Sequence, residues 1–166
     1  AFRIKESDGV WEVYRRNSAT DALPPLPPGT KYVRIHVSGD FDTWDYIFNW
    51  IKLVKKNPQT SFFGYTRSWR VPALVEILEE LRDQPNVQLF ASMDDLDTPG
   101  AVGWRRAWLV GANGMPARFS AGRSWDGVPM YPCPEETGRK ASCQECKYCV
   151  TGKRNDVLFS VHSGEA

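Results

Sequence analysis

The most informative scarcity in this sequence is that of cysteine. No cysteine precedes Cys133, and all four thiols of the 166-residue chain lie between Cys133 and Cys149. Disulfide bonds form and persist in oxidising compartments, and nothing in the sequence implies such a compartment. Four thiols so close together would also connect only a local loop of the chain. Disulfides are therefore the least favoured use of these residues.

Long apolar runs and an excess of one charge are missing as well. No stretch approaches the roughly 18 apolar residues of a membrane-spanning helix, so we expect no membrane insertion. The formal net charge of +1 gives no strong electrostatic argument for binding nucleic acid or an acidic membrane. No secretory leader is apparent, and a cytoplasmic location is expected. The chain begins at Ala1 rather than at Met, which leaves open whether a segment precedes it.

The composition is that of a globular domain. Hydrophobic residues make up 42% of the chain, which is enough to bury a core. At this length we expect a single domain over residues 1–166. Its parts are an N-terminal helix and a proline-rich connector (1–29), β/α units (30–98) and a loop-rich half (99–166). The stretch SDGVWEVYRRNS is interpreted as the short N-terminal helix.

A repeating pattern predicts parallel β/α units in the second part. Strand-like apolar stretches begin near Tyr32, Ser61 and Val87. The two segments between them place apolar residues on one face at helical spacing, and Asp42 is a suitable N-cap for the first helix. The sequence therefore predicts a β-α-β-α-β arrangement with right-handed crossovers.

The pattern weakens in the last part of the chain. The stretches RRAWLVGA, PARFSAG, VPMYPCP and DVLFSVH are interpreted as further strands, with helices short or absent. The fold class that we expect is α/β. Parallel β/α units would form an open or partial barrel, and a C-terminal cysteine-rich segment would bind a metal.

The predicted strands carry one apolar face and one polar face. Side chains alternate along a strand, so Val33 and Ile35 would face the helices, whereas Arg34, His36 and Asp40 would share the other face. Parallel strands that are buried on both sides are usually apolar on both sides. A polar face therefore predicts a concavity that is filled by water or by a ligand.

Polar residues at the predicted strand ends form a candidate site, since β/α folds bind ligands at the carboxyl ends of their strands. The candidates are Asp40, Asp94 and His36 for acid–base or metal catalysis, and Arg67 and Asp95 for ligand binding. Structural alternatives exist for each: an aspartate often caps a helix, a histidine can be buried and hydrogen-bonded, and an arginine can pair with a carboxylate. No nucleophile motif, phosphate loop or pair of carboxylates indicates a named reaction.

The cysteine spacing, C-x9-C-x2-C-x2-C, favours a metal centre with Cys133, Cys143, Cys146 and Cys149 as ligands. Zinc often binds through two separate C-x2-C pairs, but here the two pairs share Cys146. A [4Fe–4S] cluster suits three closely spaced cysteines and a distant one, and bacterial ferredoxins combine C-x2-C-x2-C with a cysteine followed by proline. Here Cys133-Pro134 stands before the triplet rather than after it. The spacing favours the cluster, with zinc as the alternative.

Four stretches together resemble a known family. VRIHVSGDF, FFGYTRSW, CPEETGRKASCQECKYC and VLFSVH are similar to the gene product 88 family of phage and mobile-element proteins. The resemblance covers roughly residues 30–162. It implies a metal or iron–sulfur protein of a mobile element rather than a particular reaction. Members of that family often carry further cysteines upstream, whereas none precedes Cys133 here.

The β/α layout with a C-terminal cysteine cluster also resembles a fragment of a radical-SAM enzyme with an auxiliary cluster. Such enzymes need a C-x3-C-x2-C motif after the first strand, with one iron left open for S-adenosylmethionine. This chain has SGDFDTWDY at that place, without a cysteine. The resemblance therefore implies a partial β/α barrel and disfavours radical-SAM chemistry.

The leading hypothesis is an iron–sulfur protein whose fully ligated cluster is structural or exchanges electrons with a redox partner. The alternative is a zinc-stabilised module that binds nucleic acid. Its support is two basic pairs and several tryptophans that could stack on bases: Arg105-Arg106, Lys153-Arg154, Trp69, Trp104 and Trp125. An enzyme that uses the polar strand ends is the third hypothesis.

Overall fold

The computed structural model describes residues 2–16, 21–93, 101, 103–110, 122–123, 128–150 and 155–160. The strands in this part of the chain are β1 (Phe2–Ser7), β2 (Val10–Arg15), β3 (Tyr32–Ser38), β4 (Ser61–Thr66), β5 (Val87–Met93), β6 (Arg105–Val110), β7 (Gly122–Arg123), β8 (Pro129–Pro132) and β9 (Asp156–Ser160). The helices are α1 (Trp44–Lys56), α2 (Pro72–Arg82) and the single turn α3 (Cys143–Cys146). None of these helices is long and apolar enough to cross a membrane.

The strands form one mostly parallel sheet in the order β1-β2-β3-β4-β5-β6-β9-β8-β7. Only the outermost pairs, β1–β2 and β7–β8, are antiparallel among the described strands. This confirms the α/β class and the predicted β-α-β-α-β arrangement, which is formed by β3, α1, β4, α2 and β5. Within the described residues no pairing joins the two ends of the order, so the barrel stays a prediction.

Three of the later predicted strands are confirmed as β6, β8 and β9. The stretch PARFSAG lies outside the described residues except for its last glycine, which begins β7. The predicted scarcity of helices in this half also holds for its described residues, where α3 is one turn long.

The N-terminal segment is a β-hairpin, and the helix predicted for it is wrong. β1 and β2 pair antiparallel, with Ser7 opposite Val10. The two residues between them, Asp8 and Gly9, have φ values of 48° and 78°, as a tight type I′ turn requires. Asp-Gly is a strong hairpin signal, and in this segment it outweighs the capping residues that suggested a helix.

The helices α1 and α2 cover one face of the sheet. Their apolar sides pack on alternate residues of β3, β4 and β5 in one core, which includes Ile35, Ile47, Trp50, Phe62, Leu78 and Leu89. Each large apolar side chain buried in this way contributes about 1.5–3 kcal/mol to stability. The residues in between, such as Tyr65 and Phe90, belong to a separate cluster on the opposite face.

Thr43, rather than Asp42, is the N-cap of α1. Thr43 Oγ1 accepts a hydrogen bond from the N–H of Tyr46 at 3.1 Å. Asp42 instead accepts a hydrogen bond of 2.6 Å from Nη1 of Arg15, a β2 residue whose side chain is fully buried. The guanidinium of Arg15 also lies 3.7 Å from the centre of the Tyr46 ring. The residue predicted to cap the helix therefore belongs to an ion pair that ties β2 to the start of α1.

A bulge in β3 breaks the alternation that the sequence predicted. Opposite β2, the register jumps from Glu12 paired with Arg34 to Tyr14 paired with Ser38. His36 lies within this jump and has a φ of 61°, which is uncommon for a residue other than glycine. The extra residues turn His36 to the helix side of the sheet, so the prediction that it shares a face with Arg34 is wrong.

His36 is buried among the aromatic residues of the helix-side core. Its Nε2 lies 2.7 Å from the hydroxyl of Tyr46, and its ring centre lies 4.7 Å from that of Phe41. Its Nδ1 has no hydrogen-bond partner among the described residues. Burial, followed by the positive charge of Arg15, lowers the pKa of His36 to about 3. At neutral pH the ring is therefore neutral.

A buried ion pair joins β6 to β9. Arg106 Nε donates to Asp156 Oδ2 at 2.9 Å, and both side chains are almost fully buried. The carboxylate of Asp156 also accepts hydrogen bonds from the backbone N–H of Arg106 and from Trp108 Nε1, each at 2.9 Å. Three donors therefore compensate a charge that would cost several kcal/mol if it were buried alone. This pair ties β9 to β6.

We expect the histidine to make the fold sensitive to acid. Below pH 6.5 the unfolded chain binds a proton at His36 that the folded chain excludes down to about pH 3. As the pH falls through that window, His36 should lower the free energy of unfolding by up to about 1.4 kcal/mol per pH unit. Asn tolerates positive φ, so His36→Asn should remove this slope. Urea unfolding of both proteins between pH 7 and pH 4.5 measures it, and equal slopes would contradict the expectation.

Candidate metal centre

The four cysteines come from two separate points of the fold. Cys133 directly follows β8 and is buried, and its N–H donates to the carbonyl of Leu158 in β9 at 2.9 Å. Cys143 and Cys146 are the first and last residues of α3, and Cys149 lies in the turn that follows. These last three are partly buried.

The single turn α3 has local reasons to form. Ser142 is its N-cap and accepts a hydrogen bond from the N–H of Glu145 at 3.2 Å. The carboxylate of Glu145 in turn accepts from the N–H of Ala141 at 2.9 Å, an arrangement similar to a capping box. Lys147 ends the turn with a φ of 56°, and its N–H donates to the carbonyl of Cys143. The chain therefore reverses here and brings the last cysteine back to the first two of the triplet.

The cysteine segment, residues 133–150, packs on the sheet face opposite to α1 and α2. All four cysteines line one pocket there, which is partly open to solvent. Its other lining residues come from β3, β4, β9 and the segment itself: Arg34, Phe63, Tyr65, Pro134, Glu135, Tyr148, Val150 and Phe159. The concavity predicted from the polar strand face therefore exists on this side, and the cysteine segment covers it.

Arg105 of β6 fastens the cysteine segment to the sheet. Its Nη2 donates to the carbonyl of Tyr148 in the segment at 3.3 Å, and its Nε donates to the carbonyl of Asn155, just before β9, at 2.9 Å. The guanidinium lies 4.3 Å from the ring centre of Phe90 in β5. One side chain thereby links two strands to the segment and places a positive charge close to Cys149.

Burial raises the pKa of three of the thiols. That of Cys149 reaches about 12, and those of Cys133 and Cys143 are raised for the same reason. Arg105 acts against this shift at Cys149, and Arg34 does so at Cys143, because a nearby cation favours the thiolate. A reactive, nucleophilic cysteine shows a lowered pKa, so these thiols do not resemble a catalytic nucleophile.

The residues around the pocket fit an anionic metal centre. Four thiols, the ligands that soft metals and iron–sulfur clusters prefer, share the pocket with a buried Nε of Arg34 that has no hydrogen-bond partner among the described residues. An anion with sulfur acceptors would supply that partner. As the side chains stand, no three Cys, His, Asp or Glu residues in the described part of the chain form a group that could hold a metal ion. A metal centre at these cysteines would therefore require their side chains to move from these positions.

Sequence analysis missed Tyr65, whose hydroxyl donates to Cys149 Sγ at 3.0 Å. It also considered Arg105 only as support for the alternative, nucleic-acid binding, and not as a contact of the cysteine segment. The alternation of β4 could have revealed the first contact, because Phe63 and Tyr65 share a sheet face with Arg34 of the neighbouring strand. The second depends on a contact between distant parts of the chain, which no local pattern encodes.

Asp40 has structural partners at the strand ends. Its carboxylate accepts hydrogen bonds from the Thr66 hydroxyl at 2.6 Å and from the backbone N–H groups of Phe41 and Arg67, each at 2.8 Å. It thereby joins the end of β4 to the segment after β3. These contacts favour the capping role over acid–base chemistry, and a catalytic role stays a prediction.

The other strand-end candidates are not all brought together. Arg67 is exposed and lies beside Asp40 through its backbone, whereas His36 points to the opposite, helix-side core. Asp94 and Asp95 lie outside the described residues. The structure therefore assembles only part of the predicted ligand-binding rim, and its function stays a prediction.

The residues suggested for nucleic acid are engaged inside the protein where the structure describes them. Arg105 donates to the carbonyl of Tyr148 in the cysteine segment, and Arg106 pairs with Asp156. Trp104 is buried, and Trp69 Nε1 donates to the carbonyl of Ser92. The remaining candidates lie outside the described residues: Lys153-Arg154 and Trp125.

We expect Asp40→Ala to lower the free energy of unfolding by about 2 kcal/mol, because three donors lose a charged acceptor. Asp45→Ala is the matched control, since Asp45 is exposed in the first turn of α1 and its loss should change stability by less than about 0.5 kcal/mol. Chemical unfolding at pH 7 measures both. Equal stability of the two variants would contradict the structural role of Asp40.

Comparison with known proteins places this geometry in a family. A family model described as gene product 88 matches residues 12–152, a stretch that contains all four cysteines. The Gene 88 protein of Mycobacterium phage L5 is 26% identical over 174 residues, which cover 90% of this chain and 68% of that protein. The Gene 88 protein of Mycobacterium phage D29 is 23% identical over 175 residues, with the same coverage of both chains. No solved structure gives a significant match.

The family match runs from within β2 through the cysteine segment and therefore includes both long helices and all four cysteines, whereas β1 and β9 lie outside it. It confirms the resemblance noted from the sequence motifs. The matches lend no support to the radical-SAM resemblance. On the extent of this match, the chain belongs to the gene product 88 family of phage proteins.

Proposed function

We propose that this protein binds a [4Fe–4S] cluster through Cys133, Cys143, Cys146 and Cys149, and that the cluster is structural or redox-active. One observation carries the proposal: thiols from two separate points of the fold line a single pocket. A [4Fe–4S] cluster has one iron for each thiolate. Its four irons could therefore bind three cysteines from α3 and the turn after it and one cysteine from the end of β8.

Zinc is the alternative occupant of the same thiols. With Zn–S bonds near 2.3 Å, a tetrahedral site would draw the four sulfur atoms to about 3.8 Å from one another. A cluster instead holds each sulfur on a different iron and so keeps the sulfur atoms further apart. Because the two C-x2-C pairs share Cys146, the triplet fits three corners of a cluster better than two separate zinc knuckles.

The charges around the pocket support an anionic centre. A [4Fe–4S] cluster with four thiolates carries a net negative charge, which is costly to bury without nearby cations. Arg34 reaches the pocket from β3 on the side of Cys143, and Arg105 lies on the side of Cys149. Each thus offers a positive charge to a different side of the proposed cluster.

A structural role follows from what such a cluster would connect. It would join the end of β8 to α3 and, through the contacts of Arg105, to β5 and β6. None of the residues of α3 is buried, so this turn has little apolar area to hold it on the sheet. Metal binding would therefore be coupled to the folding of the segment. We place the protein in the cytoplasm, where thiols stay reduced.

The proposal is tested by purifying the protein without oxygen and measuring its metal and acid-labile sulfide. We expect about four iron and four sulfide per chain, with the broad visible absorption of a bound cluster. Cys133→Ser should lose most of this iron and should unfold at a lower temperature, because the segment loses its link to β8. About one zinc per chain, with neither iron nor sulfide, would contradict the cluster.

The control for Cys133→Ser is Arg139→Ser. Arg139 lies in the same loop between Cys133 and Cys143 and is exposed, so the substitution changes the loop without removing a ligand. We expect this variant to keep the iron and sulfide content of the unaltered protein. Loss of iron from both variants would show that the loop, rather than the thiolate of Cys133, governs the assay.

A further inference from the structure

Among the described residues, Tyr65 forms a hydrogen bond with one of the four cysteines, Cys149. The hydroxyl of Tyr65 in β4 donates to Cys149 Sγ at 3.0 Å. Tyr65 lines the thiol pocket together with all four cysteines, yet its hydroxyl reaches only this sulfur among the described residues. The four proposed ligands are therefore not equivalent.

The position of the hydroxyl is fixed by packing on three sides. The centre of the Tyr65 ring lies 5.3 Å from the ring centre of Phe90 and 5.3 Å from that of Phe159, and the contact with Phe159 is edge-to-face. The guanidinium of Arg34 lies 5.7 Å from the centre of the same ring. With its ring held between β5, β9 and β3, the tyrosine has little freedom to turn its hydroxyl away from Cys149.

The chemistry of the acceptor indicates what this contact is for. A neutral thiol sulfur is a weak acceptor, so a partly buried phenol hydroxyl gains little from it. A thiolate carries a charge, and hydrogen bonds to charged groups are roughly twice as strong as neutral ones. The contact is therefore most favourable when Cys149 is deprotonated, which is its state as a metal ligand.

We propose that Tyr65 is a positioning residue that raises the reduction potential of the cluster by hydrogen bonding to the Cys149 ligand. This inference rests on the proposed cluster. Reduction adds one electron to the cluster and forms or breaks no bond, so the negative charge on the sulfur ligands increases. A donor to one of these sulfur atoms stabilises the reduced form more than the oxidised form, since hydrogen bonds to sulfur help to set the potentials of such clusters.

The test compares the unaltered protein with Tyr65→Phe in an anaerobic redox titration, with dithionite as the electron donor. Phenylalanine keeps the ring between Phe90 and Phe159 and removes only the hydroxyl. We expect equal iron and sulfide content in the two proteins. The equilibrium constant for reduction should fall by about tenfold in the variant, which is a shift of about 59 mV to lower potential for one electron.

Tyr131→Phe is the matched control. Tyr131 is an exposed tyrosine two residues before Cys133, and it is not part of the pocket lining. Its variant also loses one hydroxyl near the cysteine segment but no contact with a thiol. We expect it to keep the potential of the unaltered protein, because the donor to Cys149 is retained.

The outcomes separate this inference from the proposed function. If the unaltered protein holds no iron and sulfide, the proposed cluster fails and the role of Tyr65 falls with it. If the unaltered protein and Tyr65→Phe both hold the cluster at the same potential, only the role of Tyr65 is overturned. Loss of the cluster from Tyr65→Phe alone would assign the hydroxyl to assembly and would also overturn the role in setting the potential.

Discussion

A parallel sheet needs cover on both of its faces, and that requirement shapes this protein. Strands buried on both sides expose apolar side chains wherever cover is missing. Among the described elements, both long helices lie on one face. The other face presents Phe90, Ala107 and Val157, and the residues packed there include Cys133, Tyr148 and Cys149. A short cysteine segment therefore covers this face of the sheet, as α1 and α2 cover the other.

The cysteine segment is held mainly by directional contacts. The N–H of Cys133 and the hydroxyl of Tyr148 each donate to a carbonyl of β9, at 2.9 and 2.8 Å. Arg105 of β6 donates to the carbonyl of Tyr148. Gly9 of the hairpin lies so close to Gln144 of α3 that a β-carbon would collide with that side chain. Few of these contacts bury much apolar area. Four ligands to one metal centre would add the strong, localised attachment that such a segment lacks.

The parts of the fold that the sequence predicts well are those with local signals. Helical spacing in α1 and α2 and the apolar runs of β3, β4 and β5 identify the β/α units, because each pattern is complete within one element. The hairpin also has a local signal, Asp8-Gly9, but the prediction gave more weight to the pattern of a helix. The bulge at His36 has none, since nothing in the sequence marks a histidine for positive φ, and the alternation argument fails from that residue onward.

The candidate site divides in the same way. The spacing of the cysteines suggests the proposed ligands from sequence, because it is set within one short segment. The residues that surround them come from elsewhere: Tyr65 precedes Cys149 by 84 positions, and Arg105 precedes it by 44. Such contacts depend on which strands become neighbours. The order β5-β6-β9 places Arg105 beside the segment, and no pattern within β6 encodes that order.

The two possible states of the pocket differ in how well their polar groups are satisfied. Without a metal, burial keeps Cys133, Cys143 and Cys149 protonated, the Tyr65 hydroxyl faces a weak acceptor, and Arg34 Nε has no partner among the described residues. With the proposed anionic centre, the Tyr65 hydroxyl and the Arg34 guanidinium would instead face thiolate charge. Since unsatisfied buried groups cost free energy that satisfied ones do not, the pocket is better suited to the loaded state. If the proposed centre is bound, the attachment of the segment that covers this sheet face would depend on it.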